Sequence, residues 1–314
     1  MSGRVLVFGS LNMDVVLVAS RHPHVGETLP AETLFFAPGG KGLNQAVAAA
    51  RAGAEVDLFG AIGSDCFGVD LRAALARESL KSEGVLQREG PTGCASIWLN
   101  ADGDNKILVA AGANGTVSAD QVPDSLLTPD TVLVLQMEVP AAENWDLLRR
   151  AHGRGVRSLL NLAPAVGLEG GQLQQVLPLL SGLILNEGEA YVLGSLLGFS
   201  SLPLSELSCA LTRRYGFWVA VTCGDQPAML SENGRVWRLE TLPLRAVDTT
   251  GAGDAFVGIL AACLSRKMSL AEGLRMAVAG SGLACMTQGA VPSFPFWEEI
   301  CRSQETLGGL EEIK

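Results

Sequence analysis

Short apolar runs alternate with amphipathic stretches along most of the chain. Val5–Phe8, Val56–Gly60, Val132–Gln136, Ser158–Leu162, Leu183–Asn186 and Val219–Thr222 are brief and aliphatic or β-branched, as buried strands are. Between them Leu43–Ala52, Val69–Glu78, Glu143–His152, Gln172–Leu180 and Ser205–Tyr215 carry apolar residues at helical spacing. This rhythm predicts an α/β fold with a central, mostly parallel sheet covered by helices on both faces. After Thr222 the pattern changes. Ala228–Ser231 and Arg235–Glu240 flank Asn233-Gly234, the signature of a hairpin closed by a type I′ turn. Two long helical patterns follow, Asp254–Leu264 and Leu270–Thr287.

Two regions fall outside the rhythm. Val15–Ala19 and Glu32–Phe36 are extended with no helix between them, and Ile97–Asn100 and Lys106–Val109 flank Ala101-Asp102-Gly103-Asp104. Four such strands predict a small sheet beside the main body, a lid made by excursions at approximately 13–37 and 94–110. Two ordinary surface hairpins fit the same pattern. Val15, Leu17, Phe35, Trp98 and Leu108 lie on these segments, and apolar side chains on unpaired edges predict a homodimer through the lid. No linker or repeat divides the chain, so residues 1–314 read as one domain.

Composition narrows the class of partner. The chain has 314 residues, 48% of them hydrophobic and 18% charged, enough apolar chain for a large core. A formal charge of −10 argues against nucleic acid, which needs clustered Lys and Arg, and favours a small-molecule ligand. The longest charge-free stretch, Met276–Trp297, is interrupted by Ser281, Thr287, Gln288, Pro292, Ser293 and Pro295, so no membrane span is expected. The N-terminus runs into Gly9-Ser10-Leu11-Asn12-Met13-Asp14 without a cleavage site. Seven cysteines, odd in number and without a C-x-x-C pair, read as reduced thiols of a cytoplasmic protein.

Four motifs carry candidate chemistry. Asp248-Thr249-Thr250-Gly251-Ala252-Gly253-Asp254-Ala255-Phe256 opens an apolar helix. The glycines let backbone amides converge at a helix N-terminus, which suits a phosphate, and Asp254 stands beside that point as a proton acceptor or simply as charge complement to the helix. Ala37-Pro38-Gly39-Gly40-Lys41-Gly42-Leu43-Asn44-Gln45-Ala46 is a glycine loop before a helix, neither a Walker A loop nor a dinucleotide fingerprint. It reads as a donor-rich ligand loop or as a tight turn. Asn12 and Asp14 lie just past the first strand, where open α/β sheets bind ligands, and can take vicinal hydroxyls or cap a turn. Asn186-Glu187-Gly188-Glu189 reads as a helix cap or as the holder of a Mg²⁺ water shell. His22-Pro23-His24 has no further ligand nearby and reads as a loop.

Taken together, these residues resemble the pfkB-type carbohydrate kinase (ribokinase) family. The N-terminal signature is Gly39-Gly40-Lys41-Gly42-Leu43-Asn44-Gln45-Ala46-Val47-Ala48-Ala49-Ala50-Arg51-Ala52-Gly53-Ala54, and the C-terminal one runs from Asp248 to Phe256. Gly112-Ala113-Asn114, Asn161-Leu162-Ala163-Pro164-Ala165, Asn186-x-x-Glu189 and Thr222-x-Gly224 match in order between them. The resemblance implies ATP-dependent phosphorylation of a sugar's primary hydroxyl, with D-ribose the expected sugar. A 2-deoxyribose, ketohexose or nucleoside kinase, or a sugar-binding regulator without activity, remain alternatives. It further implies that Asn12, Asp14, Gly40, Lys41, Gly42, Asn44 and Glu138 hold the sugar, that Asp254 is the base, and that Gly251, Ala252 and Gly253 form the anion hole. Asn186, Thr222, Gly224 and Gly253 would line the ATP site, with Asn186 and Glu189 holding Mg²⁺ through water. Asp248 and Thr250, with carbonyls of Ala284, Thr287 and Gly289 and the Ser293 hydroxyl, would bind K⁺. Three positions depart from the family pattern: Val278 stands where an Asn commonly approaches adenine, Pro227 where a Gly is usual, and Leu43 where a smaller residue is usual between Gly42 and Asn44.

Overall fold

The computed structural model describes residues 3–101 and 104–313; Asp102 and Gly103, the centre of the expected second lid turn, lie outside the described residues. The strands are β1 (Arg4–Phe8), β2 (Asn12–Val18), β3 (Thr33–Gly39), β4 (Glu55–Ile62), β5 (Lys81–Gln87), β6 (Gly93–Leu99) and β7 (Asn105–Ala110). They continue as β8 (Thr131–Leu135), β9 (Arg157–Asn161), β10 (Gly182–Asn186), β11 (Trp218–Cys223), β12 (Gln226–Glu232), β13 (Arg235–Leu239) and β14 (Glu311–Ile313). The helices are α1 (Lys41–Arg51), α2 (Cys66–Leu75), α3 (Ala141–His152), α4 (Gly170–Val176) and α5 (Glu187–Leu196). After them come α6 (Leu204–Tyr215), α7 (Ala252–Ser265), α8 (Leu270–Ala284), α9 (Ala290–Ser293) and α10 (Trp297–Gln304).

The main sheet has the order β14-β13-β12-β11-β10-β9-β8-β1-β4-β5, parallel from β11 through β5 and antiparallel from β11 to β14. Alternation along β1 splits the core between the two faces. Val5 and Val7 pack with α1, α7 and α8, while Leu6 and Phe8 pack with α3 and the helices around it. A second sheet, β3-β2-β6-β7, stands apart as the lid, its β2 antiparallel to β3 and parallel to β6. The Asn233-Gly234 turn has positive φ at both residues, 51° and 75°, as type I′ requires.

Several boundaries differ from the sequence pattern for local reasons. α2 starts at Cys66 rather than Val69, because Asp65 caps it by accepting from the Gly68 amide at 3.0 Å. α8 stops at Ala284 rather than Thr287. There the Cys285 carbonyl takes the amides of Val247 (2.8 Å) and Asp248 (3.2 Å), and the chain turns away. The stretch expected as one helix over Gln172–Leu180 is α4 followed by a 3₁₀ turn, Leu177–Leu179, with Pro178 in its first turn. Strands β5 and β14 and helix α10 had no sequence expectation; β5 and β14 sit at sheet edges, where polar residues mask the alternation. All seven cysteines are free, and among the described residues no helix is long and apolar enough to cross a membrane.

Candidate active site

β1 is the switch point of the sheet: β4 pairs on one side of it and β8 on the other. Ligands in open α/β sheets bind outside the carboxyl ends of strands at such a point. Here the chain leaves β1 through Gly9–Leu11 and enters the lid, which carries Asn12 and Asp14 on β2 over that end of the sheet. β3 returns beside β2, pairing Gly39 with Asn12, and runs straight into α1.

α1 and α7 approach closely enough to bring two signatures together. A Cβ at Gly258 would lie 2.4 Å from the Gln45 carbonyl oxygen and 2.7 Å from Ala48 Cβ, so no larger residue fits there. At the resulting separation the Asp254 carboxylate, 8% exposed, accepts from Asn44 Nδ2 at 2.9 Å on Oδ2 and from Gln45 Nε2 at 2.9 Å on Oδ1. Gln45 Nε2 also donates to Asn161 Oδ1 at 3.0 Å, and Gln136 Nε2 donates to Gln45 Oε1 at 2.7 Å. Asn44 Oδ1 is buried without a protein donor.

The glycine loop before α1 is not an anion cradle. Glu138 Oε2 takes the Lys41 amide at 3.0 Å and the Ser10 hydroxyl at 2.6 Å, Ser10 Oγ takes the Gly42 amide at 3.3 Å, and the Ser10 carbonyl takes the Leu43 amide at 2.9 Å. The first turn of α1 is thus satisfied by protein. The loop holds Gly40, Gly42 and Glu138 in place beside Asn12, whose Oδ1 accepts from Asn114 Nδ2 at 2.8 Å.

Four carboxylates gather around one ammonium. Burial raises Asp14 to about 7, Glu138 and Asp254 add to the shift, and Lys41 opposes it. Burial alone would lower Lys41, but Asp254, Glu138, Glu189 and Asp14 outweigh it and raise its pKa, so it stays charged. Glu189 is raised by burial and by Asp254 against the Asn186 amide and Lys41.

Lys41 and Asp254 face a cavity of ≈ 140 Å³ lined also by Asn161, Asn186, Glu189, Thr222, Gly251 and Gly253. Lys41 therefore borders the side of the site where a phosphate would sit as well as the sugar side expected from the sequence. A larger cleft of ≈ 520 Å³ adjoins it through Asn186, Thr222 and Gly253, and is lined by Gly224, Phe256, Val278 and Cys285 among others. Val278, 3% exposed, gives this cleft an apolar wall. Of the expected anion-hole residues, Gly251 (φ 78°) and Gly253 line the smaller cavity. The Ala252 amide instead donates to the Thr249 carbonyl at 3.2 Å, and Ala252 lines the larger cleft.

Asn186 and Glu189 take the helix-cap reading. Asn186 Oδ1 accepts from the Glu189 amide at 2.8 Å and Glu189 Oε2 from the Asn186 amide at 2.9 Å, a capping box that still borders the cavity. With one oxygen of each spent on the cap, the pair suits a hydrated Mg²⁺ rather than direct ligation. Among the described residues no cluster of three His, Cys, Asp or Glu has metal-binding geometry. For a monovalent cation the expected groups are three carbonyls beside Asp248, Thr250 and the Ser293 hydroxyl. Asp248 Oδ1 accepts from Thr250 N (2.9 Å) and Oγ1 (2.7 Å) and Oδ2 from Gly289 N (2.8 Å), tying the two expected loops together. α8 ends at Ala284, whose carbonyl is thus at a helix C-terminus, while Ser293 Oγ donates to the Ala290 carbonyl at 2.7 Å.

Sequence reasoning gave no role to Ser10, Gln45, Asn114, Gln136 or Asn161. Gln136 carried a readable signal: a polar residue at the carboxyl end of the apolar run Val132–Leu135.

Comparison with known proteins gives this geometry its class. Residues 2–297 match the pfkB family carbohydrate kinase pattern, and the chain belongs to that family of sugar phosphotransferases. Its relatives are narrower still in kind. It is 33% identical over 304 residues to ribokinase from Mus musculus, covering 94% of this chain and 93% of that one. The structure of ribokinase from Thermotoga maritima superposes with a TM-score of 0.89 at 27% identity, covering 97% of this chain and all 100% of the other. Arabidopsis thaliana ribokinase complexed with ribose and ATP superposes with a TM-score of 0.83 at 27% identity, covering 97% and 99%.

Proposed function

We propose that this kinase transfers the γ-phosphate of ATP to the primary 5-hydroxyl of D-ribose. The observation that carries the reading is Asp254: a buried carboxylate at the start of α7, between the Asp14–Asn44 side of the site and the cavity bordered by Gly251 and Gly253. Asp14 accepts from two neighbouring sugar hydroxyls, Asn12 and Glu138 complete that side, and the bare Asn44 Oδ1 accepts a third hydroxyl. Gly40 and Gly42 let the loop pack on the Gly9–Asn12 backbone that carries Asn12, since a Cβ would lie 2.7 Å from Asn12 N at Gly40 and 2.5 Å from Gly9 C at Gly42.

Phosphoryl transfer needs alignment and charge neutralisation more than covalent help. Asp254 takes the hydroxyl proton as the sugar oxygen bonds to the γ-phosphorus and the bond to the ADP oxygen breaks. The Gly251 and Gly253 amides and the Lys41 ammonium face the charge that develops on the transferring group, and the lid excludes water that would otherwise receive it. ATP lies along Asn186, Thr222, Gly224 and Gly253 with its base in the larger cleft. Asn186 and Glu189 would hold Mg²⁺ through water, and the ion would supply neutralisation of phosphate charge. Asp248, Thr250 and the Ala284, Thr287, Gly289 and Ser293 oxygens would hold K⁺, whose charge would stiffen the turn that begins α7.

The catalytic unit is the whole chain, residues 1–314, working as a homodimer through the lid. Seven free thiols suit the reducing cytoplasm. The test is ADP release with D-ribose, ATP and Mg²⁺, with the product read by ³¹P NMR and the rate compared in K⁺ and Na⁺ at equal ionic strength. Ribose 5-phosphate, formed faster in K⁺, is expected; no phosphorylated sugar, or equal rates in the two salts, contradicts the corresponding assignment.

A further inference from the structure

We infer that Gln45 is a positioning residue that fixes the rotation of the Asp254 carboxylate, and that Gln136 in turn fixes Gln45. This rests on the reading of Asp254 as the base. Gln45 and Gln136 are both fully buried, and neither borders the cavities of the site.

The hydrogen bonds leave Gln45 one orientation. Its Oε1 accepts from Gln136 Nε2 at 2.7 Å, so its amide nitrogen faces the other way, toward two acceptors: Asp254 Oδ1 at 2.9 Å and Asn161 Oδ1 at 3.0 Å. A carboxylate and an amide oxygen cannot return a hydrogen bond, so both N–H groups are committed. Gln136 is anchored from behind, since Asn144 Nδ2 on α3 donates to its backbone carbonyl at 2.7 Å. The relay thus runs from the far-face helix α3, through the end of β8, to α1 and then to the base on α7.

Asn44 holds the other Asp254 oxygen at 2.9 Å, but Asn44 also faces substrate and cannot serve as a fixed brace. Gln45 can. A carboxylate held at one oxygen turns about Cβ–Cγ, and a reacting pair that drifts out of line loses rate. Both hydrogen-bond donors are neutral, so the carboxylate is ordered by bonds that do not come from the Lys41 ammonium.

The experiment combines Gln45→Met, which keeps length but makes no hydrogen bond, with Asp254→Asn and the double variant. Thermal unfolding and ATP binding report folding. Losing a hydrogen bond to a charged group predicts that Gln45→Met lowers kcat by about ten- to a hundred-fold while both KM values stay within about twofold. In the Asp254→Asn background the same change should lower kcat by less than about twofold, because no base is left to aim. If Gln45→Met does not fold, Gln136→Met keeps Gln45 but frees its amide to turn, and a smaller loss confined to kcat is expected. A near-native kcat in either folded variant, or an equal loss with and without Asp254, overturns the positioning role alone. A native kcat in Asp254→Asn would instead overturn the base assignment.

Discussion

Asp14 occupies a place where a carboxylate is costly. Burial and the charges of Glu138 and Asp254 raise it from 3.8 to about 7, against the pull of Lys41. If its ionised form receives the sugar hydroxyls, KM for the sugar should rise as pH falls through about 7, and Asp14→Asn should have a higher, flatter KM across that range. Stability should move the opposite way. The folded state holds its proton to higher pH than the unfolded chain, so the group's contribution is present below about 4 and is lost as pH rises through about 7. Asp14→Asn should therefore melt higher than the parent at alkaline pH, with the gain fading toward acid. A variant no more stable than the parent at alkaline pH would contradict the burial account. At this scale the sequence was legible where a residue type is unusual for its place, as with Asp254 on an apolar helix or Asn12 and Asp14 past a strand. Gln45 was not, because its work depends on α1, α7 and β8 meeting, which no local pattern records.

In the proposed mechanism the phosphate side depends on the start of α7, and its two glycines stand in different surroundings. Gly251 has φ 78°, and a Cβ would lie 2.7 Å from Ala290 Cβ and 3.0 Å from Phe294 Cε1. Gly253 has ordinary φ and nothing within 4 Å of a Cβ. Gly251→Ala should lower both Tm and kcat, since strain and overlap of this kind cost about 1–3 kcal/mol. Gly253→Ala should keep its Tm but raise KM for ATP, its methyl occupying space beside the phosphates. Kinetics and melts on the two variants check this; a destabilised Gly253→Ala with normal ATP affinity would reverse the assignment. Elements were readable from periodicity where both faces are buried, as in β1, β8 and β10. They were misplaced where a cap or a partner distant in sequence decides the end, as with Asp65 before α2 and the Val247 and Asp248 amides on Cys285 after α8.

For the whole molecule, the lid is the unfinished surface. Leu34 and Phe36 on β3 and Ile107, Leu108 and Val109 on β7 are more than half exposed, Leu108 at 71%. The pattern of expected contacts shifts accordingly: Val15, Leu17, Phe35 and Trp98 are half-buried within the lid itself, and of the five only Leu108 is exposed. Apolar edges of this kind favour pairing with a second copy. Light scattering should give twice the chain mass, and Leu108→Asp should give a monomer with a raised sugar KM; a parent enzyme that stays monomeric at micromolar concentration would remove the dimer. The parallel order of the main sheet and the separate lid were legible from the alternation of strands and helices, whereas the edge strands β5 and β14 were hidden by polar composition. The account as a whole stands on the acceptor. Its most direct test is kcat/KM for D-ribose, 2-deoxyribose, fructose and adenosine in one ADP-release assay with the same enzyme preparation. Each hydroxyl abandoned by a buried partner costs about 1–3 kcal/mol, so 2-deoxyribose should fall about ten- to a hundred-fold below ribose. Fructose and adenosine should fall further, because their reacting hydroxyls would stand out of line with Asp254. Ribose leading the four is the predicted result, and any of the other three exceeding it contradicts the assignment.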